Sequence, residues 1–129
     1  MFILGINAYH GDASACIFKD GKLIAAIEEE RLARIKHWAG FPYKSIKFCL
    51  KEAGIDLAQV DHITIARDPS ANFLKKIFHI LKNFTSINMI RDRLLHKKKI
   101  SNLISDFSSH FDIDENKISA KIHNIEHHR

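Results

Sequence analysis

The stretch that decides the fold is Phe2–His37, FILGINAYHGDASACIFKDGKLIAAIEEERLARIKH. The apolar run Phe2–Ile6 reads as a buried strand. Asn7-Ala8-Tyr9-His10-Gly11-Asp12 is a polar turn, and Ala13-Ser14-Ala15 leads into a second apolar run, Cys16-Ile17-Phe18. Lys19-Asp20-Gly21-Lys22 holds Asp-Gly between apolar runs, a strong short-range hairpin signal. Leu23–Ile27 is then a third strand, and Glu28–Leu32 leaves the sheet through a short helix. The spacing predicts a three-stranded antiparallel meander whose first turn is polar and carries a histidine.

Working outward, Lys36–Pro42 is a loop with Gly and Pro. Tyr43–Ala53 reads as a helix, with Ile46, Cys49, Leu50 and Ala53 on one face and Lys44, Lys47 and Lys51 opposite. Gly54 sits where a C-cap glycine belongs. After the connection Ile55–Val60, Asp61–Ala66 has the β-branched alternation of a strand. A helix and a strand following a meander predict an α/β domain with a mixed sheet. Asp68-Pro69-Ser70 breaks the chain. Residues 71–110 contain no Pro and no Gly and read as two or more helices, so 67–110 is expected to be a helical insertion. Phe111–Asn116 is a second junction, and Ile118–Ile125 resumes a strand pattern before Glu126-His127-His128-Arg129.

The 129 residues amount to one domain or a piece of one. With 46% hydrophobic residues the chain can bury a core. No apolar run approaches the ~20 residues of a membrane span, and nothing at the N-terminus has the build of a signal peptide. Cys16 and Cys49 read as small core residues. Two distant cysteines give neither a disulfide framework nor zinc spacing, which points to a reducing cytoplasm. The net charge of +5 is uneven: residues 67–100 hold 9 Lys+Arg against 2 Asp+Glu, or +7, while 1–66 hold 8 of each.

Several residues could carry chemistry. The turn Asn7–Ser14, with small residues, His10 and Asp12, can bring backbone amides against a phosphate; the plain alternative is a polar hairpin loop. His37 lies in a loop after Glu28–Glu30 and can act as acid, base or ligand, or be a surface histidine. Glu28–Glu30 with Arg31 and Arg34 reads as a solvated helical face. His127 and His128 are adjacent, so on a strand they point to opposite faces. The basic residues Lys75-Lys76, Lys82, Arg91, Arg93 and Lys97–Lys99 suit nucleic acid or an acidic partner. No aromatic residues interleave with the cluster at 91–99, so a solvated helical face is the better reading and nucleic acid is not expected.

Taken together, Ile3-Leu4-Gly5-Ile6-Asn7, His10-Gly11-Asp12-x-Ser14-Ala15, Asp20-Gly21-Lys22, Glu28-Glu29-Glu30-Arg31, Arg34-x-Lys36-His37 and Gly40-Phe41-Pro42 resemble the O-carbamoyltransferases of the nodulation-protein, tobramycin and cephamycin type in order and spacing. Glu126-His127-His128 looks like the start of that family's Glu-His-His-x-Ala-His signature. The match is dense over residues 3–60 and absent across 67–110.

The resemblance implies an incomplete actin-like ATPase (ribonuclease H-like) domain, similar to that of the tRNA threonylcarbamoyladenosine enzymes. It implies an enzyme that makes a carbamoyl-adenylate from carbamoyl phosphate and ATP in a separate C-terminal domain. The carbamoyl group then passes to a hydroxyl of a small-molecule acceptor. By motif position His127 looks like a ligand of a divalent metal, iron by resemblance. His10, His37 and His128 look like catalytic substrate-site residues, and Asn7 and Asp12 line the cofactor-binding turn. The second metal histidine would fall beyond Arg129, so residues 1–129 are expected to be the N-terminal part of such a domain, inactive alone. The rival expectation is a binding module whose basic helices 71–100 take nucleic acid or an acidic partner. The carbamoyltransferase reading further expects strand 118–125 to lie beside the first strand and parallel to it, bringing His127 to the edge that carries His10.

Overall fold

The computed structural model describes residues 1–66 and 103–125. β1 (Phe2–Asn7), β2 (Ser14–Lys19) and β3 (Lys22–Glu28) form the expected antiparallel meander, with a register shift between Ile17 and Phe18. The β2–β3 loop is Asp20-Gly21, at φ 49° and 80°. Positive φ at both central positions is the type I′ turn, whose twist matches that of the paired strands, and Gly21 meets it without steric cost.

A short helix, α1 (Glu29–Ala33), ends where Arg34 enters the left-handed region at φ 60°. α2 (Tyr43–Ala53) follows the predicted periodicity. Ile46, Cys49 and Leu50 are buried, Lys44, Lys47 and Lys51 are exposed, and Gly54 closes the helix at φ 66°, its N–H donating to the carbonyls of Leu50 and Lys51. A 3-10 turn at Leu57–Gln59 carries a reciprocal Asp56/Gln59 cap and feeds β4 (His62–Ile65), which pairs parallel with β1. α3 (Leu103–Phe111) and a 3-10 turn at Glu115–Lys117 precede β5 (Lys121–Asn124), which pairs parallel with β4.

The sheet order is β3-β2-β1-β4-β5. A meander on one side and parallel strands on the other is the mixed α/β arrangement expected. Alternate strand residues separate the faces. Leu4, Ile6, Ala15, Ile17, Ile63 and Ile65 point to one side, where they meet Ile46, Cys49 and Leu50 of α2 and Leu103 and Phe107 of α3 in a single core. Gly5, Asn7, Ser14, Cys16 and Thr64 share the opposite face, as their cross-strand register requires.

Two expectations need correction. β1 and β5 are not neighbours: β4 lies between them. The Tyr43–Ala53 crossover returns the chain beside β1 first, so the later strand can only add outside β4. Both remain parallel to β4, so the C-terminal ends of β1 and β5 still open on one edge. Cys16 is not a core residue; it is half-buried on the face away from the helices, whereas Cys49 is fully buried. The described end of the segment 67–110 is a helix, α3, which runs to Phe111 and packs into the core. Phe107 is 0% exposed and meets Phe41 edge-on with ring centroids 5.0 Å apart. The rest of that segment, including the basic residues 75–99, lies outside the described residues, as do His127 and His128.

Candidate functional site

The polar turn between β1 and β2 is held from two sides. Tyr9 N–H donates to Gly40 O (3.2 Å) and Ala13 N–H to Trp38 O (3.0 Å), which lays the loop His37–Phe41 along the turn. Glu29 N–H donates to Ala13 O at 2.8 Å, tying the start of α1 to the turn's far end. Inside the turn, Asn7 Nδ2 donates to Asp12 O at 3.0 Å. Tyr9 and Asp12 sit at φ 66° and 63°, and His37 opposite them at φ 54°. Left-handed conformations in non-glycine residues persist where surrounding bonds over-determine them, and the bonds between turn and loop do so here.

These constraints bring three functional groups together. His37 Nδ1 lies 2.8 Å from Asp12 Oδ1, and His37 N–H donates to Glu30 Oε2 at 3.2 Å. One ligand atom from each of Asp12, Glu30 and His37 falls within 4.8 Å of the others. All three reach solvent. The hydrogen bond that Asp12 accepts from the ring, and then its charge, raises the pKa of His37 above the ordinary imidazole value. With Nδ1 committed to Asp12, Nε2 is the nitrogen available for proton transfer. His10 Nδ1 turns to its neighbour's carbonyl, Gly11 O, at 3.1 Å. Tyr9 donates its hydroxyl to Asp106 of α3. Burial, then Asp106, pushes its pKa far up, so the phenol stays protonated.

A cleft of about 680 Å³ opens on the face away from α2 and α3, within the size range of small-molecule sites. Its floor is kept low by small residues, Gly5, Ser14, Ala26 and Thr64, and its rim carries Glu28 and Arg31. Gly5 is required there: a Cβ would come 2.8 Å from Cys16 Sγ. The cleft and the Asp12–His37 pair are adjoining features, joined by Asn7, which lines the cleft and anchors the carbonyl of Asp12. Asn7 Oδ1 is buried and has no hydrogen-bond partner among the described residues. Ile125, just past β5, lines the same cleft.

Of the predicted site residues, Asn7, Asp12 and His37 are brought together, and His10 lies in the same turn. Glu30 is a member that sequence reasoning missed, because Glu28–Glu30 reads as a solvated face. That reading also fails at Glu29, which is 2% exposed. Its carboxylate accepts from Lys44 N–H (3.1 Å), Ser45 N–H (2.7 Å) and Ser45 Oγ (2.8 Å). Pro42 precedes α2 and offers no side-chain cap, so Glu29 takes that role from another helix.

The family model described as "Carbamoyltransferase N-terminus" matches residues 2–83, more than half of the chain and the whole of the site's turn, helix and loop. The chain belongs to this carbamoyltransferase family. Among curated relatives, the nodulation protein NolNO of Sinorhizobium fredii is 33% identical over 122 residues, 94% of this chain and 17% of that protein. The uncharacterized protein sll1178 of Synechocystis sp. is 49% identical over 71 residues, 55% of this chain and 12% of that protein. The chain therefore spans a small part of these relatives' length. Among solved structures, YeaZ from Pseudomonas aeruginosa aligns with a TM-score of 0.48 and 12% identity, covering 97% of this chain and 43% of that one. Among the described residues no helix is long and apolar enough to cross a membrane.

Proposed function

We propose that this carbamoyltransferase segment supplies part of the transfer site of an enzyme that moves a carbamoyl group from a carbamoyl-adenylate, made from carbamoyl phosphate and ATP, to a hydroxyl of a small-molecule acceptor. The observation that carries the reading is the Asp12–His37 contact of 2.8 Å, set beside the cleft at the C-terminal edge of β1. Open α/β sheets place their ligands at that edge.

The step needs a base at the acceptor. Asp12 holds His37 in one ring orientation, and Nε2 takes the hydroxyl proton as the acceptor oxygen attacks the carbamoyl carbon. The bond from that carbon to the phosphate oxygen breaks, and AMP leaves with the electron pair. Asn7 and Asp12 shape the turn beside the nucleotide, and His10 and His128 complete the substrate site. By family likeness His127 would be one ligand of a divalent metal, iron by that same likeness. When bound, such an ion would offset charge on the leaving phosphate.

The test uses a full-length enzyme carrying this segment. His37→Gln and Asp12→Asn are expected to slow transfer to the acceptor by about 10²–10⁴-fold while leaving adenylate formation, read by isotope exchange into ATP, unchanged. Equal loss in both half-reactions, or none in transfer, would remove His37 from the transfer step.

A further inference from the structure

β4 and β5 run parallel, with His62 opposite Lys121 and Thr64 opposite His123. Residues two apart on a strand share a face. His62 and His123 therefore stand diagonally across the seam, on the face that carries the cleft. His62 Nδ1 lies 3.0 Å from His123 Nε2, with ring centroids 5.1 Å apart and planes inclined by 55°. Both rings are half-buried. In the metal-free chain one ring donates an N–H and the other accepts it.

We propose that His62 and His123 form a chelating site for a first-row transition-metal ion, stapling β5 to β4. Imidazole nitrogen suits Zn²⁺, Ni²⁺ and Cu²⁺. A metal–nitrogen bond of about 2.0–2.1 Å sets two ligand nitrogens about 2.9 Å apart at a right angle and about 3.3 Å apart at the tetrahedral angle. The observed 3.0 Å lies at the right-angle end of that interval. Binding asks each ring to turn its lone pair off the line between the nitrogens toward a common point.

The donating ring must free its nitrogen. It does so by moving its proton to its other nitrogen through exchange with water, so both rings stay neutral and charge balances. The remaining coordination positions belong to water or an external donor. Lys121 shares this face, so affinity comes from the two coordinate bonds and not from a negative field. The ion would fix a strand of only four residues whose next residue, Ile125, lines the cleft.

The experiment is a Zn²⁺ titration of the ¹⁵N-labelled 129-residue chain, read on the imidazole nitrogens by long-range ¹H–¹⁵N correlation. His62 Nδ1 and His123 Nε2 are expected to move together to metal-bound positions, saturating at one equivalent. His62→Gln and His123→Gln should each weaken binding at this site by at least about tenfold, since even outer-shell changes reach that size. If both nitrogens keep their hydrogen-bonded shifts in excess Zn²⁺ while other histidines respond, the proposal is overturned. Wild-type affinity in either variant overturns it equally. Should a variant fail to fold, the wild-type nitrogen shifts decide alone.

Discussion

Three adjacent glutamates offer a sharp test of how this site is built. Glu28 is exposed and pairs with Arg31 at 3.7 Å. Glu29 is buried and accepts three hydrogen bonds at the start of α2. Replacing Glu29 by Ala strands the Lys44 and Ser45 amides and the Ser45 hydroxyl. Hydrogen bonds to a charged group contribute about 1.5–3 kcal/mol each, and the relief of returning a buried carboxylate to water offsets part of that. A lost helix cap alone costs about 0.5–2 kcal/mol. The net expectation for Glu29→Ala is a loss of about 3 kcal/mol, a large share of the 5–15 kcal/mol that holds a typical domain together. At this chain length that corresponds to roughly a 10 °C fall in Tm. Glu28→Ala removes one exposed pair and should cost about 0–1 kcal/mol. Urea unfolding followed by circular dichroism and Trp38 fluorescence measures both. Equal, small losses in the two variants would refute the capping role.

Other outcomes follow from the same geometry. Asp12→Asn should lower the titration midpoint of His37, read by NMR, because Asp12 is the main cause of its raised pKa. A raised folded value means that the pair's stabilisation is complete below the ordinary imidazole pKa and is lost as pH rises through the folded value. If His37 is the base, transfer rises with pH over that same interval, and the rise moves to lower pH in Asp12→Asn. Phe107→Ala should cost about 3–5 kcal/mol in urea unfolding, since its ring is wholly buried against Phe41; a loss under 1 kcal/mol would mean that α3 lies outside the core. Gly5→Ala should cost about 1–3 kcal/mol by overpacking. Adding Cys16→Ala should recover most of it, because the crowding atom is Cys16 Sγ at 2.8 Å; strict additivity in that cycle would contradict the contact.

Local chemistry made much of this protein legible in its sequence. Asp20-Gly21 dictates its turn because only certain residues accept positive φ cheaply. The Ile46/Cys49/Leu50 spacing dictates both the helix and its buried face, and Gly54 its end. The motifs through Lys36-His37 sufficed to indicate the carbamoyltransferase family. The rest depended on contacts between residues far apart in the chain, which periodicity does not record. Glu29 looks like its neighbours until α2 presents uncapped amides to it. Asp12, Glu30 and His37 become one cluster only when the loop Trp38–Gly40 hydrogen-bonds along the β1–β2 turn. Cys16 leaves the core because α2 and α3 pack on the opposite face, that of Ala15 and Ile17, and His62 meets His123 because β5 adds beside β4. Strand order and packing alone decide which side chains share a face, and those choices are settled by burying the common core of Leu4, Ile17, Ile63 and Phe107.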